Sequence, residues 1–274
     1  MVKLFDSHTH LNIDTEDRNI DKLAQEIENS DVEYVVDIGY DLDSSALTVK
    51  HSESYPWCYA AVGVHPHDVK NMDEETLTLL RGLAKKPKTV AVGEIGLDYY
   101  RNLSPKEDQQ HWFREQIKIA MELDMPIIIH DRDAHGDVME ILKDEGVFSE
   151  ERKARFPQNP VTGTKDARLL LHCYSGSAEM GKQYIKLGAT LSIAGPVTYK
   201  NNHKTVEVVK EISLDHLLIE TDAPYLTPVP FRGKTNSSPL VEYTAKRIAE
   251  IKDISYEQVA ETTLNNAKRF FNID

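Results

Sequence analysis

Short apolar, β-rich runs alternate along the chain with longer stretches patterned as helices. The short runs predict strands over residues 2–6, 34–38, 58–62, 90–92, 127–129, 169–171, 190–193 and 217–219. The longer stretches predict helices over 20–29, 44–51, 74–85, 105–123, 135–144, 178–186 and 203–211. Two more helices, 239–251 and 255–271, end the chain. Ser104-Pro105-Lys106-Glu107 reads as an N-cap with Pro at the first helical position and acidic residues in the first turn. No fixed-length repeat and no low-complexity segment interrupts the pattern.

Eight strands alternating with helices point to parallel pairing through right-handed crossovers, an α/β class. An open doubly wound sheet competes with a closed (β/α)8 TIM barrel. Eight units within 274 residues fit the barrel better, with the last two helices additional to it. One domain, residues 1–274, is expected, because no linker-like shift in composition divides the chain. The irregular region is 146–168, whose Pro, Gly and basic residues suggest a loop insertion.

Chemistry collects where the apolar runs stop. The first strand leads into Ser7-His8-Thr9-His10, and alternation along a strand puts the two imidazoles on one face, roughly 6.5–7 Å apart. The fourth strand runs into Gly93-Glu94-Ile95-Gly96-Leu97-Asp98, the fifth ends at His130, the sixth at His172, and the eighth at Glu220-Thr221-Asp222. Carboxyl ends of strands form the rim on which barrel active sites lie. Four imidazoles and two carboxylates on that rim exceed the three ligands that one catalytic zinc needs. They suit two divalent ions roughly 3.5–4 Å apart. The strand order assigns His8, His10 and Asp222 to one ion and His130 and His172 to the other, with Glu94 reaching between them. Mixed imidazole and carboxylate donors admit Mg, Mn or Zn.

Composition narrows the setting. Forty per cent apolar and 28% charged residues is a normal soluble balance with a sizeable core. No apolar run reaches the ~20 residues a membrane helix needs, and no signal-peptide pattern precedes Asp6. Two cysteines, Cys58 and Cys173, make no disulfide framework, so a reducing cytoplasmic location is expected. A net charge of −13 disfavours broad contact with a phosphate backbone, yet leaves phosphate chemistry inside a small pocket open.

The ordered motifs resemble the TatD family of metal-dependent deoxyribonucleases, within the amidohydrolase-like barrels. They are Asp6-Ser-His-Thr-His10, Gly63-Val-His-Pro-His67, Gly93-Glu-Ile-Gly-Leu-Asp98, Pro126-Ile-Ile-Ile-His-Asp-Arg132, His172-Cys-Tyr-Ser-Gly176 and Glu220-Thr-Asp-Ala-Pro-Tyr-Leu226. Phe231-Arg-Gly-Lys-Thr-Asn236 and Asn266-Ala-Lys-Arg-Phe270 follow in the same order. The resemblance implies a dinuclear site on His8, His10, Glu94, His130, His172 and Asp222. Two departures accompany it. The segment after Arg232-Gly-Lys is one residue longer than the usual spacing, which bears on substrate contacts by Lys234 and Asn236, and 146–168 is longer than the family leads one to expect.

The implied activity is metal-dependent hydrolysis of phosphodiester bonds in DNA, removing nucleotides from the 3′ end of single strands. Metal-activated water would attack, with Asp222 as general base and Glu94 as the second catalytic carboxylate. Arg132 is read either as a phosphate clamp or as a salt-bridge partner of Asp131 or Asp133. His65 either binds phosphate or donates a proton to the leaving oxygen, or packs beside Pro66. Tyr99 and Tyr100 either stack a terminal base or simply pack. Glu220 is expected to support a ligand, Asp98 to support one or serve a turn, and Cys173 to pack away from His172. His67 is expected on a surface loop, and His51, His111, His135, His203 and His216 on the surface. The alternative is a dinuclear amidohydrolase cleaving a C–N or ester bond of a small molecule. Many such relatives bridge their metals with a carboxylated Lys after the fourth strand, where this chain has Glu94. A silent barrel kept for protein interaction would have eroded a ligand, and none is missing. No membrane and no obligate protein partner is called for.

Overall fold

A computed structural model describes residues 2–14 and 18–274. Its eight strands form one sheet in the order of the chain. They are β1 (Leu4–Thr9), β2 (Val32–Ile38), β3 (Cys58–Val62), β4 (Thr89–Asp98), β5 (Ile127–Arg132), β6 (Leu169–Leu171), β7 (Thr190–Ile193) and β8 (Leu217–Ile219). Between them lie α1 (Ile20–Glu28), α2 (Leu42–Ser54), α3 (Glu74–Ala84), α4 (Lys106–Glu122), α5 (His135–Asp144), α6 (Glu150–Lys153), α7 (Ala178–Leu187) and α8 (His203–Glu211). Two further helices, α9 (Val241–Lys252) and α10 (Tyr256–Phe271), complete a (β/α)8 barrel with added C-terminal helices. No described helix is long and apolar enough to cross a membrane.

The chain divides into two compact units. The first comprises Met1–Asp37, Cys173–Gln183 and Leu191–Asp274. Here β1 meets the end of β8: Thr9 bridges Ala223 in parallel, His10 donates its N–H to Ala223 O at 2.8 Å, and Asp222 donates to His8 O at 2.9 Å. α10 closes the other end, with Phe271 stacked on Phe5 at 5.8 Å between ring centroids. The buried Asn266 amide of α10 donates to Leu214 O and Leu217 O, tying the helix to the start of β8.

The second unit comprises Ile38–His172 and Tyr184–Thr190. β4 and β5 run in register as Gly96↔His130, Leu97↔Asp131 and Asp98↔Arg132, so pairing continues past the apolar residues. Gly96 has φ +146°, and a Cβ there would run into the His130 carbonyl oxygen. Only glycine permits that approach. The core of this unit is Ile95, Ile117, Ile127–129 and Leu169–Leu171.

Three strand predictions stop short. β1 extends through Thr9, β4 through Asp98 and β5 through Arg132, because backbone pairing does not end where hydrophobicity does. Asp98 therefore closes a strand rather than sitting in a loop. Ser104 does not cap α4, which begins at Lys106 without a side-chain cap; its hydroxyl donates to His67 O at 2.8 Å instead. The 146–168 segment contains α6, and the buried Arg152 guanidinium donates to Ala167 O and Met125 O at 3.0 and 2.8 Å.

Candidate metal centre

In the first unit, β1 delivers His8 and His10 and the turn after β8 delivers Asp222. Their Nε2 atoms lie 3.6 and 3.5 Å from Asp222 Oδ1. Asp222 adopts φ +54°, a conformation that costs a non-glycine residue energy and is held here by its bond to His8 O. Behind it, Thr221 donates its N–H and hydroxyl to Asp6 at 2.8 and 2.6 Å. Complete burial raises the Asp6 pKa to about 7 against the opposing Thr221 and Ser238 hydrogen bonds.

Other groups fix this corner. Asn236, fully buried, donates its amide to Thr221 O at 2.9 Å and Tyr225 O at 2.6 Å, so it braces the turn that carries Asp222. Asp37 accepts from the Leu11 N–H and the Asn12 amide, fixing the chain just past His10. Nothing in the sequence pattern marked Asp37. Glu220 accepts the Cys173 N–H at 2.7 Å, next to His172 in the chain. Cys173 is half-buried, with φ +42°.

The second unit gathers His65, Glu94, His130 and His172. Glu94 Oε1 lies 2.7 Å from His130 Nδ1, 2.7 Å from His172 Nε2 and 3.6 Å from His65 Nε2. Burial would raise the Glu94 pKa, but the His172 charge and hydrogen bonds to His130 and His172 hold it well below the usual range. Burial would lower His130, but hydrogen bonds to Asp98 and Glu94 raise it. Burial, with the neighbouring His130 charge, drives the His65 pKa well below its ordinary value.

Asp98 is fully buried, and its Oδ2 lies 2.7 Å from His67 Nε2 and 3.3 Å from His130 Nε2. His67 is thus part of the cluster and not a free loop residue. His51 is buried as well, against the surface expected for it. Asp131 pairs with His135 at 2.7 Å. Arg132 instead lays its guanidinium 4.2 Å from the Tyr100 ring centroid. Tyr99 donates its hydroxyl to Asp137 at 2.6 Å and lies under Lys106, while Tyr100 is exposed. Burial, then the Asp137 hydrogen bond, pushes the Tyr99 pKa up to about 12.

The donors fit divalent cations. His8, His10 and Asp222 offer ligand atoms within 4.8 Å of one another, and in the second unit Glu94 Oε1 lies 2.7 Å from both His130 Nδ1 and His172 Nε2. Three N/O donors leave positions open for water or substrate, the arrangement of a catalytic rather than a structural site.

Comparison with known proteins agrees with this chemistry. The family model described as TatD related DNase matches residues 5–272. A Bacillus subtilis relative named "Uncharacterized metal-dependent hydrolase YabD" is 44% identical over 271 residues, covering 99% of this chain and 100% of that protein. The Escherichia coli relative named "Uncharacterized metal-dependent hydrolase YcfH" is 34% identical over 279 residues, covering 99% and 96%. The crystal structure of YjjV, a TatD homolog from Escherichia coli, superposes with a TM-score of 0.85 at 26% identity, over 99% of this chain and 98% of that one.

Proposed function

The chain belongs to the TatD-related DNase family and is a metal-dependent hydrolase, and we propose that the bond it cleaves is a phosphodiester of DNA, taken from the 3′ ends of single strands. In this reading His8, His10 and Asp222 hold one divalent cation, and Glu94, His130 and His172 hold another, with Mg, Mn or Zn as the ions. When bound, such ions neutralise phosphoryl oxygens and lower the pKa of the attacking water from about 16 towards 7.

The chain's own groups do the rest. Asp222 accepts the proton of the attacking water; its side chain keeps 15% exposure beside two buried imidazoles. Arg132 supplies positive charge to a phosphate through its planar fork. Aromatic contact with a base is better served by Tyr100 than by Tyr99, since Tyr99 is tied to Asp137 while the Tyr100 ring is open to solvent. His65 faces the substrate beside Glu94. A reducing cytoplasmic setting accompanies this reading, in keeping with a chain that carries two cysteines, Cys58 and Cys173, too few for a disulfide framework.

Glu94 carries the choice of bond. It is buried and meets two imidazoles at 2.7 Å where small-molecule amidohydrolases of this barrel class commonly use a carboxylated lysine. The test is an end-labelled oligonucleotide ladder with Mg²⁺ or Mn²⁺, run beside metal analysis of the purified protein. Shortening from the 3′ end, abolished by chelator, is the expected result. Intact oligonucleotide together with turnover of an amide or lactone would replace the nuclease reading with the amidohydrolase one.

A further inference from the structure

Position alone groups His65 with Glu94 and His130 as a set of donors able to hold a cation. Hydrogen bonding says otherwise. The His67 backbone N–H donates to His65 Nδ1 at 3.1 Å. An imidazole nitrogen that accepts a hydrogen bond must carry a lone pair, so Nδ1 is unprotonated and the ring is not an imidazolium. Its one proton is then on Nε2, the nitrogen that faces Glu94 Oε1 at 3.6 Å. A nitrogen bearing a proton is a donor and has no lone pair for a metal.

Resting on the phosphodiester reading for the identity of the oxygen, we propose that His65 is a catalytic hydrogen-bond donor of fixed tautomer, presenting Nε2–H to an oxygen of the scissile phosphate, and is not a metal ligand. No proton leaves the ring. Neutral imidazole is too weak an acid to deliver one, so His65 stabilises charge that builds on the oxygen while another group handles proton transfer.

The segment that carries His65 is built to hold such a donor still. The His65 N–H donates to Tyr40 O at 2.8 Å, and its carbonyl accepts from Asp68 at 2.9 Å. Gln116, buried in α4, clasps both backbone groups of Val64, accepting its N–H at 2.7 Å and donating to its carbonyl at 3.1 Å. At Gly63 a Cβ would press on Ile95 and on the Gly93 backbone, so the chain just past β3 packs directly against β4 two residues before the histidine. The His65 ring lies 4.1 Å from the His67 ring and 4.4 Å from that of His130, between centroids. The group that sets the tautomer is a backbone N–H, which no side-chain rotation can withdraw. A donor fixed in this way needs no reorganisation when charge develops on the substrate.

The experiment combines long-range ¹H–¹⁵N NMR of the histidine rings in the zinc-loaded protein with Zn²⁺ titration of the wild type, His65→Gln and His65→Ala. The expected spectrum shows His65 protonated at Nε2, and the expected titrations agree in stoichiometry and lie within about twofold in affinity. With oligonucleotide substrate, kcat falls about 10²–10³-fold in His65→Ala, the range for losing one such donor. It recovers in part in His65→Gln, whose amide restores an N–H. An Nδ1–H tautomer, a lost equivalent of zinc, or unchanged kcat in His65→Ala would overturn the assignment. If the oligonucleotide is not cleaved by the wild type, the nuclease reading fails, while the tautomer and the titration still decide between donor and ligand.

Discussion

Asp98 Oδ2 lies 2.7 Å from His67 Nε2, and the same oxygen is 3.3 Å from His130 Nε2. One fully buried carboxylate therefore orients the His130 imidazole while a second histidine steadies the carboxylate. Its other oxygen accepts the Arg101 N–H at 2.7 Å, and Gln109 accepts the Asp98 N–H at 2.8 Å, so neither backbone nor side chain is free to turn. Supporting carboxylates of this kind typically contribute 10–100-fold to metal affinity. Asp98→Asn is expected to weaken the metal equivalent that depends on His130 by about that factor while the circular dichroism spectrum is retained. A titration curve superimposable on the wild type would mean that Asp98 only caps the turn after β4.

Much of this was legible in the sequence. β3, β6, β7 and β8 begin and end where their apolar runs do, since every residue of these strands but Tyr59 is buried. The clustering of polar residues at the strand ends was legible too, because a polar residue directly after a buried strand needs partners. What the sequence hid depends on contacts between distant residues. The link between His67 and Asp98 joins residues 31 apart, and only the paired geometry of β4 shows that Asp98 is inside the barrel wall. The same holds for Asn236, whose buried amide donates to Thr221 O and Tyr225 O, 15 and 11 residues away. Asp37 carries no motif at all, and its role follows from where β2 ends beside Leu11.

Arg152 anchors the 146–168 segment. It is 2% exposed, and its bonds to Ala167 O and Met125 O tie the segment to the stretches that lead into β6 and β5. Burial lowers its pKa to about 10, which leaves it charged at neutral pH. Arg152→Met would keep the aliphatic packing and strip two buried carbonyls of their donor, at a cost of about 1–3 kcal/mol each before relaxation. A lower urea midpoint is expected, together with earlier proteolytic cleavage within 146–168. An unchanged midpoint would show that water replaces the guanidinium without cost.

The same segment should respond to acid. Glu150 pairs with Lys153 at 2.7 Å and Lys165 at 2.5 Å, and these hydrogen bonds, Lys153 first, hold its pKa at about 2 against an ordinary value of 4.5. The folded pKa is depressed, so the stability contributed by this pairing is present above pH 4.5 and is lost as pH falls towards about 2. The carboxylate is exposed, and solvent screening keeps that contribution small. NMR titration of the Glu150 carboxyl is expected to give a midpoint well below that of an isolated glutamate, and Lys165→Ala is expected to move it up. If Lys165→Ala leaves the midpoint in place, the contact with Lys165 does not persist in solution.

Metal removal should be felt in stability as well as in turnover. Within the first unit His8 and His10 are 0% and 5% exposed and face Asp222, and within the second Glu94 is 3% exposed and faces His130 and His172. Polar groups buried at such positions are assembled only by folding, so ions that bind them bind the native chain in preference to the unfolded one. Mass action then stabilises the fold by about 2.7 kcal/mol when free metal stands at 100 times its Kd, and by about 4.1 kcal/mol at 1,000 times. Differential scanning calorimetry is expected to show a lower Tm in chelator, restored by adding back Zn²⁺ or Mn²⁺, with the shift growing as the logarithm of free metal. Asp222→Ala should blunt the shift by removing the one carboxylate of its cluster. A Tm indifferent to chelator, in protein that metal analysis shows to have been loaded, would mean that the ions also bind the unfolded chain or that the clusters are not their site.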